Sequence, residues 1–157
     1  YRRAFEIYEK FDFKTVLDLG CGSGTKSDQV FDSRKLVHVD FADRRSSVVS
    51  DEIQFKYCDL ESQLQVAKLF SEIEIDKPIL IILSDVIEHL YDPRTILRAI
   101  RIALRGHPES RLLISTPDRH RIDGRLSDGV PINPAHVRQW TLQEFGSALL
   151  STGFVVE

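Results

Sequence analysis

Four titratable residues stand out by type and spacing: Asp85, Glu88 and His89 lie close together, and His136 follows far along the chain. Carboxylates and imidazoles remove a proton from a hydroxyl, or lower its pKa by holding a divalent metal against it. The segment 118–136 adds the cations Arg119, His120, Arg121 and Arg125 among the turn formers Gly124, Gly129, Pro131 and Pro134. Guanidinium groups suit a phosphate or carboxylate on a ligand. A connection this long between regular elements is characteristic of a lid or binding loop, although a solvated surface loop has the same composition. A third group is Gly20, Gly22 and Gly24, with Asp18 two residues upstream. Glycines at alternate positions remove the Cβ atoms that would hold a ligand off the backbone.

Hydrophobic period indicates the elements that must position these groups. Apolar runs at 16–19, 36–39, 53–57, 79–83 and 112–114 predict strands, and 154–156 predicts a sixth. Residues 1–11 predict a lead-in helix. Leu64, Ala67, Phe70 and Ile73 recur at helical spacing, as do Ile96, Leu97, Ile100 and Leu104. The second of these helices has Asp92 as N-cap, Pro93 in its first turn and Gly106 beyond its end. A further helix opens on a capping box of Thr141 and Glu144, with Trp140 and Phe145 as its hydrophobic staple, and ends near Gly153. Residues 42–50 lack an apolar stripe, so that crossover is expected to be irregular. Alternating strands and helices predict an α/β, three-layer, doubly wound and mostly parallel sheet. Ligands bind such sheets at the carboxyl ends of the strands. There stand Asp40 after the second strand, Asp59 after the third, Ser84 and Asp85 after the fourth, and residues 115–121 after the fifth.

Composition bounds the function classes. With 157 residues, 42% hydrophobic and 29% charged, residues 1–157 are expected to form a single globular domain. A net charge of −3 provides no general attraction to nucleic acid or to an anionic membrane. No stretch approaches the roughly 18 apolar residues of a membrane span, and no signal-peptide pattern opens the chain, so a cytoplasmic protein is expected. Cys21 and Cys58 lack disulfide or metal spacing and read as small buried thiols. The absence of methionine and the start at Tyr1 carry the expectation of further residues upstream, with residues beyond Glu157 left open. Nothing in the sequence assigns an oligomeric state.

The spacing GxGxG, in place of the GxGxxG of dinucleotide sites, points away from NAD and towards S-adenosylmethionine. Together the motifs at 17–24, 39–40, 58–60, 85–90 and 115–117, with Trp140-Thr141, make the chain resemble the class I S-adenosylmethionine-dependent methyltransferases over nearly its whole length. The resemblance implies that Gly20, Cys21, Gly22 and Gly24 receive the methionine end of the cofactor, with Asp18 beside them. It implies that Asp40 holds the ribose hydroxyls, that Asp59 and Leu60 border the adenine, and that Phe41, Ser84 and Asp85 complete the cofactor contacts. Asp59 equally suits a cap on the following helix, and Asp18 a brace for the turn. The family's usual last strand, antiparallel at the sheet edge, is not recognisable before Glu157.

Narrower resemblances concern the acceptor side. The pattern Asp85, Glu88, His89 and His136 is similar to the metal-binding Glu-x-x-Glu-His...His set of small-RNA 3′-terminal 2′-O-methyltransferases, with Asp85 in place of the first Glu. The Glu88-His89 pair also occurs in ubiquinone-biosynthesis O-methyltransferases. An Ile-Glu-His-Leu turn is frequent in metal-free small-molecule enzymes, where it braces the loop. The expectation is therefore no metal, with those four residues as the alternative ligand set. Residues 133–140 resemble a stretch of bacterial methyltransferases associated with sugar and glycan biosynthesis. His136, His89 and Asp85 are the expected catalytic residues, and Arg119, Arg121 and His136 the expected substrate contacts; a loop-pinning hydrogen bond is the other reading of His136. The expected activity is O-methylation of a small polar acceptor such as a saccharide. Metal-assisted RNA 2′-O-methylation and a non-catalytic cofactor-binding module are the alternatives.

Overall fold

The run Ile79-Leu80-Ile81-Ile82-Leu83 forces the architecture, because alternate side chains of a strand face opposite ways and all five are apolar. All five are fully buried, so this strand has cover on both faces, as a central parallel strand must. In the computed structural model, which describes residues 2–73, 76–123, 131 and 133–157, it is β4 (Ile79–Ser84). The other strands are β1 (Thr15–Leu19), β2 (Leu36–Asp40), β3 (Gln54–Tyr57) and β5 (Arg111–Ser115). The sheet order is β3-β2-β1-β4-β5 and every pairing is parallel. In register, Asp18 lies between His38 and Ile82.

The two faces are covered unequally. Leu17, Leu19, Val37, Val39, Ile81 and Leu83 pack against α3 (Gln63–Glu72), α4 (Pro93–Ala103) and α6 (Leu142–Ser151). Val16, Leu36, Leu80 and Ile82 pack against α1 (Arg2–Lys10), Phe13, Phe31, Val49 and Ile53. Here α2 (Thr25–Asp28) is a single turn, and residues 42–50 form no helix, as their missing stripe led one to expect. Each large aliphatic side chain buried this way contributes about 1.5–3 kcal/mol. The expected three-layer α/β arrangement is therefore present, with its helical weight on one side.

Helix ends fall where the capping chemistry put them. Asp92 accepts a hydrogen bond from the Arg94 N–H with Pro93 in the first turn of α4. Both halves of the Thr141–Glu144 capping box form at α6, and the Trp140 and Phe145 rings meet at 5.6 Å. The prediction of a strand at 154–156 fails. Phe154 N–H instead donates to the Leu149 carbonyl at the helix end, and Val155 is 87% exposed. An apolar triplet becomes a strand only where a ladder partner takes its backbone groups, and none is in place among the described residues. Beyond β5 come α5 (Arg119–Asp123) and a bridge between Asp118 and Trp140 that closes the base of the long connection.

Candidate cofactor and acceptor site

The three glycines of the first turn are required for different reasons. All have positive φ, and at Gly20 and Gly24 the neighbours also exclude a side chain. A Cβ on Gly20 would lie 2.5 Å from Val86, and one on Gly24 would lie 2.5 Å from His38. At Gly22 (φ +56°) nothing among the described residues comes within 4 Å of the Cβ position, so the turn is open there. Asp40 closes one side of this opening, its Oδ2 accepting the Gly22 N–H at 2.9 Å and its Oδ1 the Phe41 N–H at 2.7 Å. Each oxygen keeps a second lone pair for a ligand hydroxyl. Burial, followed by the nearby Asp18 and Asp40 charges, pushes the Cys21 thiol up to about 12, which makes it an inert lining group. Asp18 is buried at the end of β1.

The expected adenine contacts are placed at the next strand end. Asp59 Oδ1 accepts the Glu61 N–H at 2.9 Å, while Ser62 caps α3, so Asp59 shapes the turn and leaves the helix cap to another residue. Leu60 is buried, and Phe41 is 62% exposed with the Arg44 guanidinium 4.6 Å from its ring centre. Sequence reasoning missed Glu61, whose carboxylate accepts the Tyr91 and Asp92 N–H groups and ties this turn to the one after β4.

After β4 the chain turns sharply. Asp85 has φ +55°, a strained value for a residue with a Cβ, tolerated best by Asp and Asn. Ser115 Oγ donates to Asp85 Oδ1 at 3.1 Å, which leaves Ser84 to donate to Ser115 at 2.8 Å. A 3₁₀ turn, Ile87–His89, then buries Glu88, whose Oε2 accepts from Thr116 at 3.1 Å. The Glu88 carbonyl accepts the N–H groups of Val137 and Arg138 at 2.8 and 3.3 Å. The end of the long connection is thereby strapped across the turn.

Three of the four expected metal or acid–base residues are brought together. Ligand atoms of Glu88, His89 and His136 lie within 4.8 Å of one another, and Asp85 is not in that group. His89 Nδ1 donates to the Ala135 carbonyl at 2.8 Å, which orients Nε2 as the acceptor. His136 is bound differently. Ala135 N–H donates to Asn133 Oδ1 at 3.0 Å, so the Asn133 amide nitrogen faces His136 Nε2, also at 3.0 Å, and must donate to it. The His136 proton then sits on Nδ1, which is buried and has no partner among the described residues. The two expected substrate arginines also differ. Arg119 pairs with Glu144 at 3.0 Å, whereas Arg121 is 89% exposed with only a 3.9 Å approach to Asp118. His120 is tied through its backbone N–H to Asp118 Oδ1. Gly124, Arg125 and Gly129 lie outside the described residues.

Residues 2–157 match the methyltransferase domain family, and the chain belongs to it. Over 162 aligned residues it is 29% identical to a probable S-adenosylmethionine-dependent methyltransferase of Mycobacterium tuberculosis; the match covers 99% of this chain and 55% of that protein. The chain thus spans about half the length of the curated relatives it matches. A methyltransferase of Mesorhizobium loti has the same fold with TM-score 0.67 at 18% identity, covering 99% of this chain and 81% of that one. The methyltransferase domain of bacterial CtHen1 superposes with TM-score 0.59 at 22% identity, covering 96% and 80%. The fold is that of a Rossmann-like class I methyltransferase. S-adenosylmethionine is the cofactor of this family, and the open Gly22 beside the Asp40 carboxylate fits it. No helix among the described residues is long and apolar enough to cross a membrane.

Proposed function

We propose that this chain, acting as one domain in the cytoplasm, methylates a hydroxyl of a small polar acceptor, a saccharide or related metabolite. One observation carries the reading: Val86 packs where a Gly20 side chain would be, so the turn bearing Asp85, Glu88 and His89 abuts the glycine turn. The bound cofactor supplies an electrophilic methyl group on its sulfonium, and in-line positioning then does most of the catalytic work. Asp40, with Gly20 and Gly22 beside it, holds the cofactor. His89 Nε2, fixed as an acceptor by the Ala135 carbonyl, takes the acceptor hydroxyl's proton. His136, its ring held by the Asn133 amide and set edge-on to His89, borders the acceptor, and Arg121 meets an anionic group on it.

His89→Gln is expected to lower kcat by about 10²-fold or more while leaving the affinity for S-adenosylhomocysteine unchanged. Full turnover in that variant would remove His89 from the base role.

A second reading rests on the donor set Glu88, His89 and His136. His89 Nε2 and Glu88 Oε1 are oriented by bonds to their opposite atoms, as metal ligands are, but Asn133 occupies His136 Nε2. EDTA is expected to leave turnover unchanged. Loss of turnover that Mn²⁺ restores would favour metal-assisted 2′-O-methylation of RNA.

A further inference from the structure

We propose that His38 is a positioning residue of the cofactor turn, holding Gly24 in place through the hydroxyl of Ser27. His38 sits in the middle of β2, fully buried between the core residues Val37 and Val39. Its ring lies directly against Gly24, as shown by the 2.5 Å approach to that residue's Cβ position. Ser27 Oγ is 3.1 Å from the Gly24 carbonyl, which can only accept, so the single hydroxyl proton goes there. The same oxygen lies 3.0 Å from His38 Nε2 and must therefore accept from it. A directed chain results, from His38 Nε2–H to Ser27 and on to the Gly24 carbonyl, which also takes the Asp28 N–H at 3.1 Å.

This arrangement makes poor sense as packing alone. His38 Nδ1 is buried with no hydrogen-bond partner among the described residues, a cost that leucine would avoid in the same apolar strand. Burial, reinforced by the Arg45 charge, lowers the imidazole to about 4, so the ring stays neutral and the direction of the chain is constant near neutral pH. What the imidazole secures through Nε2 is the position of the third glycine, two residues from the open Gly22. Stability is exchanged for a fixed ligand-binding backbone.

The inference rests on the glycine turn binding the cofactor, and the test separates the two. Affinity for S-adenosylhomocysteine is measured by calorimetry for wild type, His38→Leu, His38→Gln, Ser27→Ala and the double variant His38→Leu/Ser27→Ala, with a melting temperature for each. Failure of the wild type to bind would sink the cofactor reading itself. With wild-type binding in hand, His38→Leu and Ser27→Ala should each weaken affinity about tenfold, and the double variant no further, since they break one chain. His38→Gln, whose amide still donates to Ser27, should stay within about threefold, and His38→Leu should melt no lower than wild type. Wild-type affinity in His38→Leu and Ser27→Ala, or losses that simply add, would overturn the proposal. So would a loss in His38→Leu that glutamine does not rescue.

Discussion

At the residue scale, the site is a set of side chains whose roles are decided by their second contacts. Asp40 touches the turn from both oxygens and offers its remaining lone pairs to a ligand. Two charge-assisted bonds of about 1.5–3 kcal/mol each are at stake, so Asp40→Ala should weaken S-adenosylhomocysteine binding at least tenfold in calorimetry, and unchanged affinity in a folded variant would refute the role. Residue identity made Asp40, Asp59 and the Glu88-His89 pair legible in the sequence, because acids at strand ends and an acid–imidazole pair are chemical types. The different orientations of the His89 and His136 rings were not legible. They depend on the Ala135 carbonyl and the Asn133 amide, which reach the imidazoles through space or through a local turn. The same holds for the ion pair of Arg119 with Glu144, whose partners stand 25 residues apart in the chain.

At the element scale, local chemistry dictates where helices start and tertiary contact dictates whether strands exist. The capping box at α6 is complete, so Thr141→Ala should cost about 1 kcal/mol in a urea melt; no loss would mean that Trp140 and Phe145 hold that end unaided. The apolar triplet at 154–156 has the same composition as a strand, but composition cannot report whether a neighbour is there to pair with it. In β2, His38 imposes a pH dependence of definite sign. Its folded-state value is lowered from 6.5 to about 4 by burial, so the unfolded chain binds the proton more readily. Its contribution is therefore intact above pH 6.5 and is lost as pH falls towards 4. The melting temperature should drop over that window, and His38→Leu should flatten the drop. An equal drop in that variant would assign it to other groups.

At the scale of the whole molecule, the sheet gathers the two halves of the proposed site along its carboxyl edge. One half, around Gly22 and Asp40, is built from backbone and fixed acids and was readable from spacing because a glycine turn leaves a one-dimensional signature. The other half is assembled from the turn after β4 and residues 133–138, which are distant in sequence and joined by the hydrogen bonds of Glu88, His89 and Asn133. Nothing in local pattern encodes that strap. Joint action of the two halves on a hydroxyl acceptor is read out by acceptor-dependent release of S-adenosylhomocysteine across saccharides, phenols and RNA oligonucleotides with a terminal ribose. Release is expected to require a saccharide, to survive EDTA and to be lost in His89→Gln. Release only with RNA and Mn²⁺, or cofactor binding with no release for any acceptor, would contradict the proposed function.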